Sequence, residues 1–130
     1  NEIPVGAILT QNNIILAESH NLSINANDPT AHAEINVIRL ACEKINNYRI
    51  KDSVLYTTLE PCLMCMGAIC EARIETIVFG AYSSSESSID EKFKILKETY
   101  ALDHTPKFVG GILQNECSLM LRNFFKRKRG

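Results

Sequence analysis

Four side chains in two short stretches of this 130-residue chain have the chemistry of metal binding or proton transfer. His32 is followed two positions later by Glu34, and Cys62 is followed three positions later by Cys65. One imidazole and two thiolates leave the fourth position of a tetrahedral zinc ion open, as in catalytic rather than structural zinc sites. The sequence therefore predicts one catalytic zinc per chain at His32, Cys62 and Cys65, with Glu34 as a proton shuttle.

The spacing of the cysteines predicts a helix that begins at the site. Residues three apart share one face of a helix, and Pro61, directly before Cys62, is tolerated where a helix starts. Both sulfurs would then lie in the first turn, at the positive end of the helix dipole, which lowers a thiol pKa and favours metal binding.

A second helix is predicted from His32 to Ile45. In the middle of a helix residues i and i+2 point in nearly opposite directions, so His32 and Glu34 can converge only where the helix begins. Asp28 and Thr30 are the expected capping residues of that helix start.

Other interpretations of these residues remain open at this point. A Cys-x-x-Cys pair alone also fits a redox pair or half of a zinc finger, and the histidine and cysteines could be ordinary core residues. The combination His-x-Glu with Pro-Cys-x-x-Cys is more specific, because it is the signature of zinc-dependent nucleobase deaminases.

Beyond this signature, further motifs occur in the order typical of one known family. They are Pro4–Ala7, Asp28–Glu34, Asn47–Arg49, Leu55–Cys62, Val78–Ala81 and Phe124–Phe125. By these motifs the chain resembles the bacterial tRNA-specific adenosine deaminases of the cytidine deaminase-like superfamily. The resemblance implies an α/β fold with three α-β-α layers around a mixed central sheet of about five strands, and a homodimer.

The resemblance also implies the activity: zinc-dependent hydrolytic deamination of the wobble adenosine to inosine in a tRNA anticodon loop. It assigns Glu34 as the catalytic residue and places Asn21 and Ala33 beside the target base. Phe125 and Lys126 are implied to contact the RNA. From the residues alone, a turn asparagine is the favoured interpretation of Asn21. The family often has an aspartate near bound nucleic acid at the position of Ser83.

The end of the chain is basic although the whole chain has a formal net charge of only −1. Phe124 and Phe125 precede the run Lys126–Arg129, and no acidic residue follows Glu116. Aromatic and cationic side chains together suit stacking on unpaired bases and contact with phosphates. A solvated tail that complements the helix dipole is the alternative interpretation.

Length and composition favour a single domain over residues 1–130. No apolar run approaches the roughly 20 residues that a membrane span needs, so no membrane association is expected. Five cysteines are an odd number, and Cys42, Cys70 and Cys117 fall in helical patterns, which favours a reducing, cytoplasmic compartment. The family's N-terminal helix is expected to be absent, which would leave one sheet face partly uncovered.

Apolar patterning predicts the remaining elements along the chain. The predicted strands are Ile3–Leu9, Ile14–Ala17, Ser53–Thr58, Thr76–Gly80 and Lys107–Gly110, and the further helices are Cys62–Ala72 and Asn115–Arg129. The segment Ile89–Tyr100 is predicted to be a short helix or an ordered loop. The serine-rich segment Tyr82–Ser88 is predicted to be a mobile loop. Met64 and Met66 are either core residues or part of a dimer contact.

Three rival functions share some of these features. A deaminase of a free base or nucleotide, of the guanine or cytosine type, would use the same metal motif. A non-catalytic RNA-binding partner subunit would need no proton shuttle such as Glu34. A redox protein would use only Cys62 and Cys65, and would leave His32 unexplained.

Overall fold

The computed structural model describes residues 2–83 and 88–129. In chain order the elements are β1 (Gly6–Gln11), β2 (Ile14–His20), α1 (Ala33–Ile45), β3 (Ser53–Leu59), α2 (Leu63–Ala72), β4 (Thr76–Ala81), α3 (Ile89–Tyr100), β5 (Lys107–Val109) and α4 (Gln114–Arg129). Strands and helices therefore occur in the predicted order.

The five strands form one mixed sheet in the order β2-β1-β3-β4-β5. β1 pairs antiparallel with β2 and with β3, whereas β3, β4 and β5 pair in parallel. The parallel pairs are those whose connections contain a helix, α2 or α3, because a parallel crossover needs a long connection. The predicted mixed sheet of about five strands is confirmed.

A two-residue turn joins the first two strands. Asn12 and Asn13 have φ angles of 50° and 65°, the left-handed conformation that a tight hairpin of this kind requires. β1 begins at Gly6 rather than at the predicted Ile3, and β2 continues beyond its predicted end to His20, opposite Gly6. The polar end of β2 is held by pairing with β1, which the local sequence does not show.

The main core lies on one face of the sheet. Leu9, Leu55 and Ile77 alternate with outward-facing neighbours along three adjacent strands, and all three are fully buried. Val37 of α1 and Ile69 of α2 belong to the same buried cluster. The two helices that carry the predicted site residues are thus packed against the same sheet face.

The opposite face is covered less completely. α4 packs there against β4, where Gly80 lies beside Cys117. Ile8, Tyr56 and Val78 line an open apolar depression of about 560 Å³ on this face, and Tyr56 is 42% exposed. Helices therefore lie on both faces of the sheet, as predicted for three layers.

The segment Ile89–Tyr100 is a helix, α3, and α4 begins one residue before its predicted start. The predicted mobile loop falls largely on positions 84–87, outside the described residues. Within the described ranges, no helix is both long and apolar enough for a membrane span.

Candidate active site

The first residues of α1 and α2 meet at one end of the structure. His32 is the N-cap of α1 and Cys62 is the N-cap of α2, and both have extended backbone conformations. Neither side chain caps its own helix by a hydrogen bond, so both are available to a shared site. Cys65 follows within the first turn of α2, which places the three donors at two neighbouring helix starts.

The three donor atoms have the spacing of a tetrahedral zinc site. His32 Nδ1 lies 3.6 Å from Cys62 Sγ and 3.6 Å from Cys65 Sγ, and all three atoms lie within 4.8 Å of one another. Tetrahedral bonds of ordinary zinc–nitrogen and zinc–sulfur length imply nitrogen–sulfur distances of about 3.6 Å. The donor set and its geometry therefore fit zinc with one coordination position left for another ligand.

The two thiols have opposite pKa shifts. A hydrogen bond from Cys65 lowers the pKa of the Cys62 thiol to about 5, with His32 contributing in the same direction. The same hydrogen bond, together with burial, raises the pKa of Cys65. The pair thus holds a thiolate at Cys62 beside a protonated Cys65, and a cation can replace the shared proton.

Glu34 is a buried carboxyl group at the same helix start. It is the second residue of α1 and is only 4% exposed, and burial raises its pKa. Its carboxyl group is a hydrogen-bond partner of the Cys65 thiol. A buried carboxyl group with a raised pKa next to the donors is suited to accept and return a proton.

A small cavity of about 140 Å³ opens in front of these residues. Its lining includes His32, Cys62 and Glu34, together with Asn21 and Ala33. The fold therefore brings the predicted base contacts to the predicted metal and acid–base residues.

Asn21 enters this cavity from the end of β2. Its backbone N–H donates to the Val5 carbonyl at 3.0 Å, and its side-chain Oδ1 accepts from the N–H and hydroxyl groups of Ser23. Asn21 is 9% exposed, so the amide is held in a fixed orientation rather than in a solvated turn.

The predicted capping role of Asp28 and Thr30 is wrong. Asp28 Oδ1 accepts from the Thr30 N–H at 2.9 Å and from the Thr30 hydroxyl at 2.6 Å, which closes a turn ahead of the helix. The chain then places His32 itself at the N-cap. Asp28 and Thr30 therefore form a turn that precedes α1 and do not cap it.

Glu60 is a site residue that sequence reasoning did not single out. It lines the cavity and is 5% exposed, and its carboxylate accepts from the Ser83 N–H at 2.8 Å and hydroxyl at 2.7 Å. The other carboxylate oxygen accepts from the Ile89 N–H at 3.0 Å, at the start of α3. Its one sequence signal was an acidic residue at the end of an apolar strand, immediately before Pro61.

Phe125 and Lys126 lie on α4 and do not line the cavity. The Phe124 and Phe125 rings meet edge to face at 5.4 Å, and Phe125 is 43% exposed. Lys128 Nζ lies 5.9 Å from the centre of the Phe124 ring, and Lys126 is exposed. The end of α4 thus presents an aromatic and basic surface separate from the cavity.

Comparison with known proteins identifies the family. Residues 1–81 match the zinc-binding region of cytidine and deoxycytidylate deaminases. The tRNA-specific adenosine deaminase of Haemophilus influenzae is 46% identical over 129 residues, an alignment that covers 98% of this chain and 74% of that protein. The chain belongs to the tRNA-specific adenosine deaminase family. The Bacillus subtilis member of this family is 39% identical over 128 residues, covering 98% of this chain and 79% of the relative.

Two solved structures support the family assignment and allow the folds to be compared. A structure from a study of A-to-I editing by tRNA:A34 deaminases at the wobble position has a TM-score of 0.81 and 37% identity, covering 90% of this chain and 84% of that one. The guanine deaminase of Bacillus subtilis is 35% identical, with a TM-score of 0.56, covering 97% of this chain and 80% of that one. The closer fold match is thus to the tRNA deaminase.

Proposed function

We propose that this protein is a zinc-dependent hydrolytic deaminase that converts the wobble adenosine of a tRNA anticodon loop to inosine. The observation that carries the proposal is the convergence of three zinc donors beside a cavity that His32, Cys62 and the buried Glu34 line. We infer the substrate from the family, since the relatives are named tRNA-specific adenosine deaminases.

In this proposal His32, Cys62 and Cys65 hold the zinc ion. A zinc ion at these donors lowers the pKa of water towards 7 and so supplies a nucleophile at neutral pH. The spacing of the donor atoms supports this assignment, because it needs no rearrangement of either helix start.

Glu34 moves the protons of the reaction. Its carboxylate takes a proton from the attacking water and delivers it to the ring nitrogen next to C6 of adenine, which makes C6 electrophilic. It then takes the proton of the hydroxyl group added at C6 and passes it to the departing amino group, so that water and adenosine give inosine and ammonia. Burial favours this role, because it raises the pKa of the Glu34 carboxyl group and so makes its carboxylate a stronger proton acceptor.

Asn21 and Ala33 orient the base. The Asn21 side-chain Nδ2 offers donors on the cavity wall, since its Oδ1 already accepts from Ser23. Ala33 is the first residue of α1, so its N–H is one of those without an acceptor inside the helix. Both groups can hydrogen-bond the edge of a base that has left its stack. An unpaired loop nucleotide can leave its stack at a low free-energy cost.

The end of α4 is the proposed RNA-binding surface. Phe125 offers an exposed ring for base stacking, and Lys126 offers an exposed cation for a phosphate. Binding through a local patch explains how a chain with a net charge of −1 can bind a polyanion.

We also infer a homodimer and a cytoplasmic location. Leu63 is 67% exposed and Met64 37% exposed directly beside Cys62, which leaves an apolar patch at the rim of the site. Met66, by contrast, is 1% exposed and belongs to the core. Light scattering on the purified protein tests the dimer.

A tRNA substrate and reduced cysteine ligands both favour the cytoplasm.

The proposal is tested by deamination of matched substrates. Zinc-loaded protein is incubated with an anticodon stem-loop that has adenosine at the wobble position, and with the same stem-loop carrying guanosine there. Free adenosine, cytosine and guanine complete the set. Inosine at the wobble position alone is the expected result.

Free guanine is assayed as a separate substrate because a guanine deaminase is 35% identical to this chain. Turnover of free guanine without turnover of the stem-loop would replace the proposal by a metabolic deaminase. Loss of turnover at full zinc occupancy on all substrates would favour the non-catalytic partner subunit.

A further inference from the structure

Asn36 links the two sides of the cavity although it does not line it. Its side-chain Nδ2 donates to the His20 carbonyl at 2.8 Å and to the Ala31 carbonyl at 3.2 Å. His20 directly precedes Asn21, and Ala31 directly precedes His32. One amide group therefore joins the backbone beside the proposed base contact to the backbone beside the proposed metal ligand.

The position of Asn36 on the helix explains this reach. It is the fourth residue of α1, one turn after the N-cap His32, and its own N–H donates to the His32 carbonyl at 2.9 Å. Side chains on a helix point back towards its N-terminus, so the Asn36 amide extends over the helix start. A side-chain amide has two N–H bonds, which is the number that two carbonyl acceptors require.

Each carbonyl that accepts from Asn36 belongs to a peptide group whose N–H is that of a site residue. Because a peptide group is planar, fixing the His20 carbonyl also orients the Asn21 N–H, which donates to Val5. In the same way, fixing the Ala31 carbonyl orients the N–H of His32. The Ala31 carbonyl additionally accepts from Leu22 at 2.9 Å, which ties the loop after Asn21 to the same point.

We propose that Asn36 is a positioning residue for the deamination reaction. Its amide sets the separation between Asn21, which contacts the base, and His32, which holds the metal. This inference rests on the proposed function for the roles of Asn21 and His32. The Asn36 side chain that makes these hydrogen bonds is half-buried, on an otherwise apolar stretch of α1.

Two variants remove the amide in different ways. Asn36→Asp keeps the shape but replaces both donors by acceptors facing carbonyl oxygens, whereas Asn36→Leu removes polarity and favours the helix. Asn47→Asp is the matched control. It makes the same chemical change at an exposed residue after the other end of α1. The hydrogen bond in which Asn47 Oδ1 accepts from the Arg49 N–H survives the substitution.

The first measurement is hydrogen exchange of the full zinc-loaded chain, which needs no substrate. We expect the amides of residues 21, 22 and 32 to exchange roughly tenfold faster in both Asn36 variants, the factor that corresponds to one lost hydrogen bond. The Asn47→Asp protein should match the wild type. Unchanged exchange at these amides in both variants overturns the inference, whether or not the protein deaminates tRNA.

The second measurement is single-turnover deamination of the stem-loop at full zinc occupancy. Displacement of the base relative to the metal should lower the rate by roughly tenfold to a hundredfold, since small misplacements of reacting groups cost that much. Stem-loop affinity should stay within about threefold, because phosphate contacts elsewhere supply most of it. A wild-type rate in both variants overturns the inference, while an inactive wild-type protein overturns the proposed function instead.

A double-mutant cycle separates positioning from a general loss of stability. If Asn36 acts through Asn21, Asn36→Asp should have a much smaller effect in the Asn21→Ala background than in the wild type. Full additivity of the two changes contradicts the proposed route through Asn21.

Discussion

The cavity and the end of α4 differ in how they present the side chains proposed to act on the substrate. At the cavity the functional side chains are buried and held: Glu34 is 4% and Asn21 9% exposed, and their positions depend on contacts from several elements. On α4 the proposed RNA contacts Phe125 and Lys126 are exposed, and the neighbouring Phe124 ring contacts Phe125 and Lys128. Bond-making chemistry requires fixed distances, whereas binding to a flexible polyanion requires charge and ring surface that can adapt.

The largest expected effect comes from Glu34→Gln, which changes the proton chemistry of the cavity without changing its shape. We expect turnover of the stem-loop to fall by roughly 10²- to 10⁴-fold, because a general acid–base group is lost. Zinc content and stem-loop affinity should stay at the wild-type level. Rapid-quench kinetics, elemental analysis and filter binding measure the three quantities.

Two variants control this experiment. Glu43→Gln makes the same change at an exposed position of α1 and should leave the rate unchanged. Cys65→Ala should remove zinc together with activity, which separates ligand loss from loss of the proton shuttle. Turnover by Glu34→Gln at the wild-type rate would show that the buried carboxyl group is not the shuttle.

An intermediate effect is expected from the α4 surface. Replacing Lys126, Arg127 and Lys128 by glutamine should weaken stem-loop binding and lower the slope of log affinity against log salt by roughly 2 to 3, since each lost phosphate contact removes about one released counterion. The rate at saturating stem-loop should not change. Binding titrations at several salt concentrations provide the slope.

The matched control for this change lies on α3 and β5. Glutamine at Lys94, Lys97 and Lys107 removes the same three charges from exposed positions away from α4. If both triple variants lose affinity equally, net charge rather than the α4 surface governs binding.

The smallest effect on the reaction is expected from the contact that seats α4 on the sheet. A Cβ at Gly80 would lie far inside van der Waals distance of Cys117 Sγ, so Gly80→Ala should lower the free energy of unfolding by about 1–3 kcal/mol. Gly67→Ala is the control, because a Cβ there meets no atom within 4 Å. Chemical denaturation measures both.

Zinc content should survive Gly80→Ala, because the metal donors lie on the other two helix starts. Adding Cys117→Ala should restore most of the lost stability by opening space for the new methyl group. A Gly80→Ala protein as stable as the wild type would mean that α4 shifts on β4 without cost.

Local patterns were sufficient for the chemistry of the site. Cys62 and Cys65 were assigned from their spacing after a proline, and the structure places both at the start of α2. His32 and Glu34 were expected to converge only at a helix start, and His32 is the N-cap of α1. Such inferences succeed because helix geometry relates residues a few positions apart.

Local patterns failed where long-range partners decide. Asp28 was expected to cap α1, but its carboxylate closes a turn with Thr30 instead. Glu60 and Asn36 gave no clear signal, because their partners His20, Ser83 and Ile89 lie 16 to 29 positions away. Side-chain type alone does not reveal which backbone groups will come within reach after folding.

The sequence by itself determined the candidate zinc donors, the candidate proton shuttle, the order of strands and helices and the basic end of α4. These properties follow from residue chemistry and from short-range periodicity. Only the tertiary structure decided the place of β1 between β2 and β3, the depth at which Glu34 is buried, and the amide bridge from Asn36 to His20 and Ala31. Each of these depends on contacts between distant segments, which form only when the whole core packs.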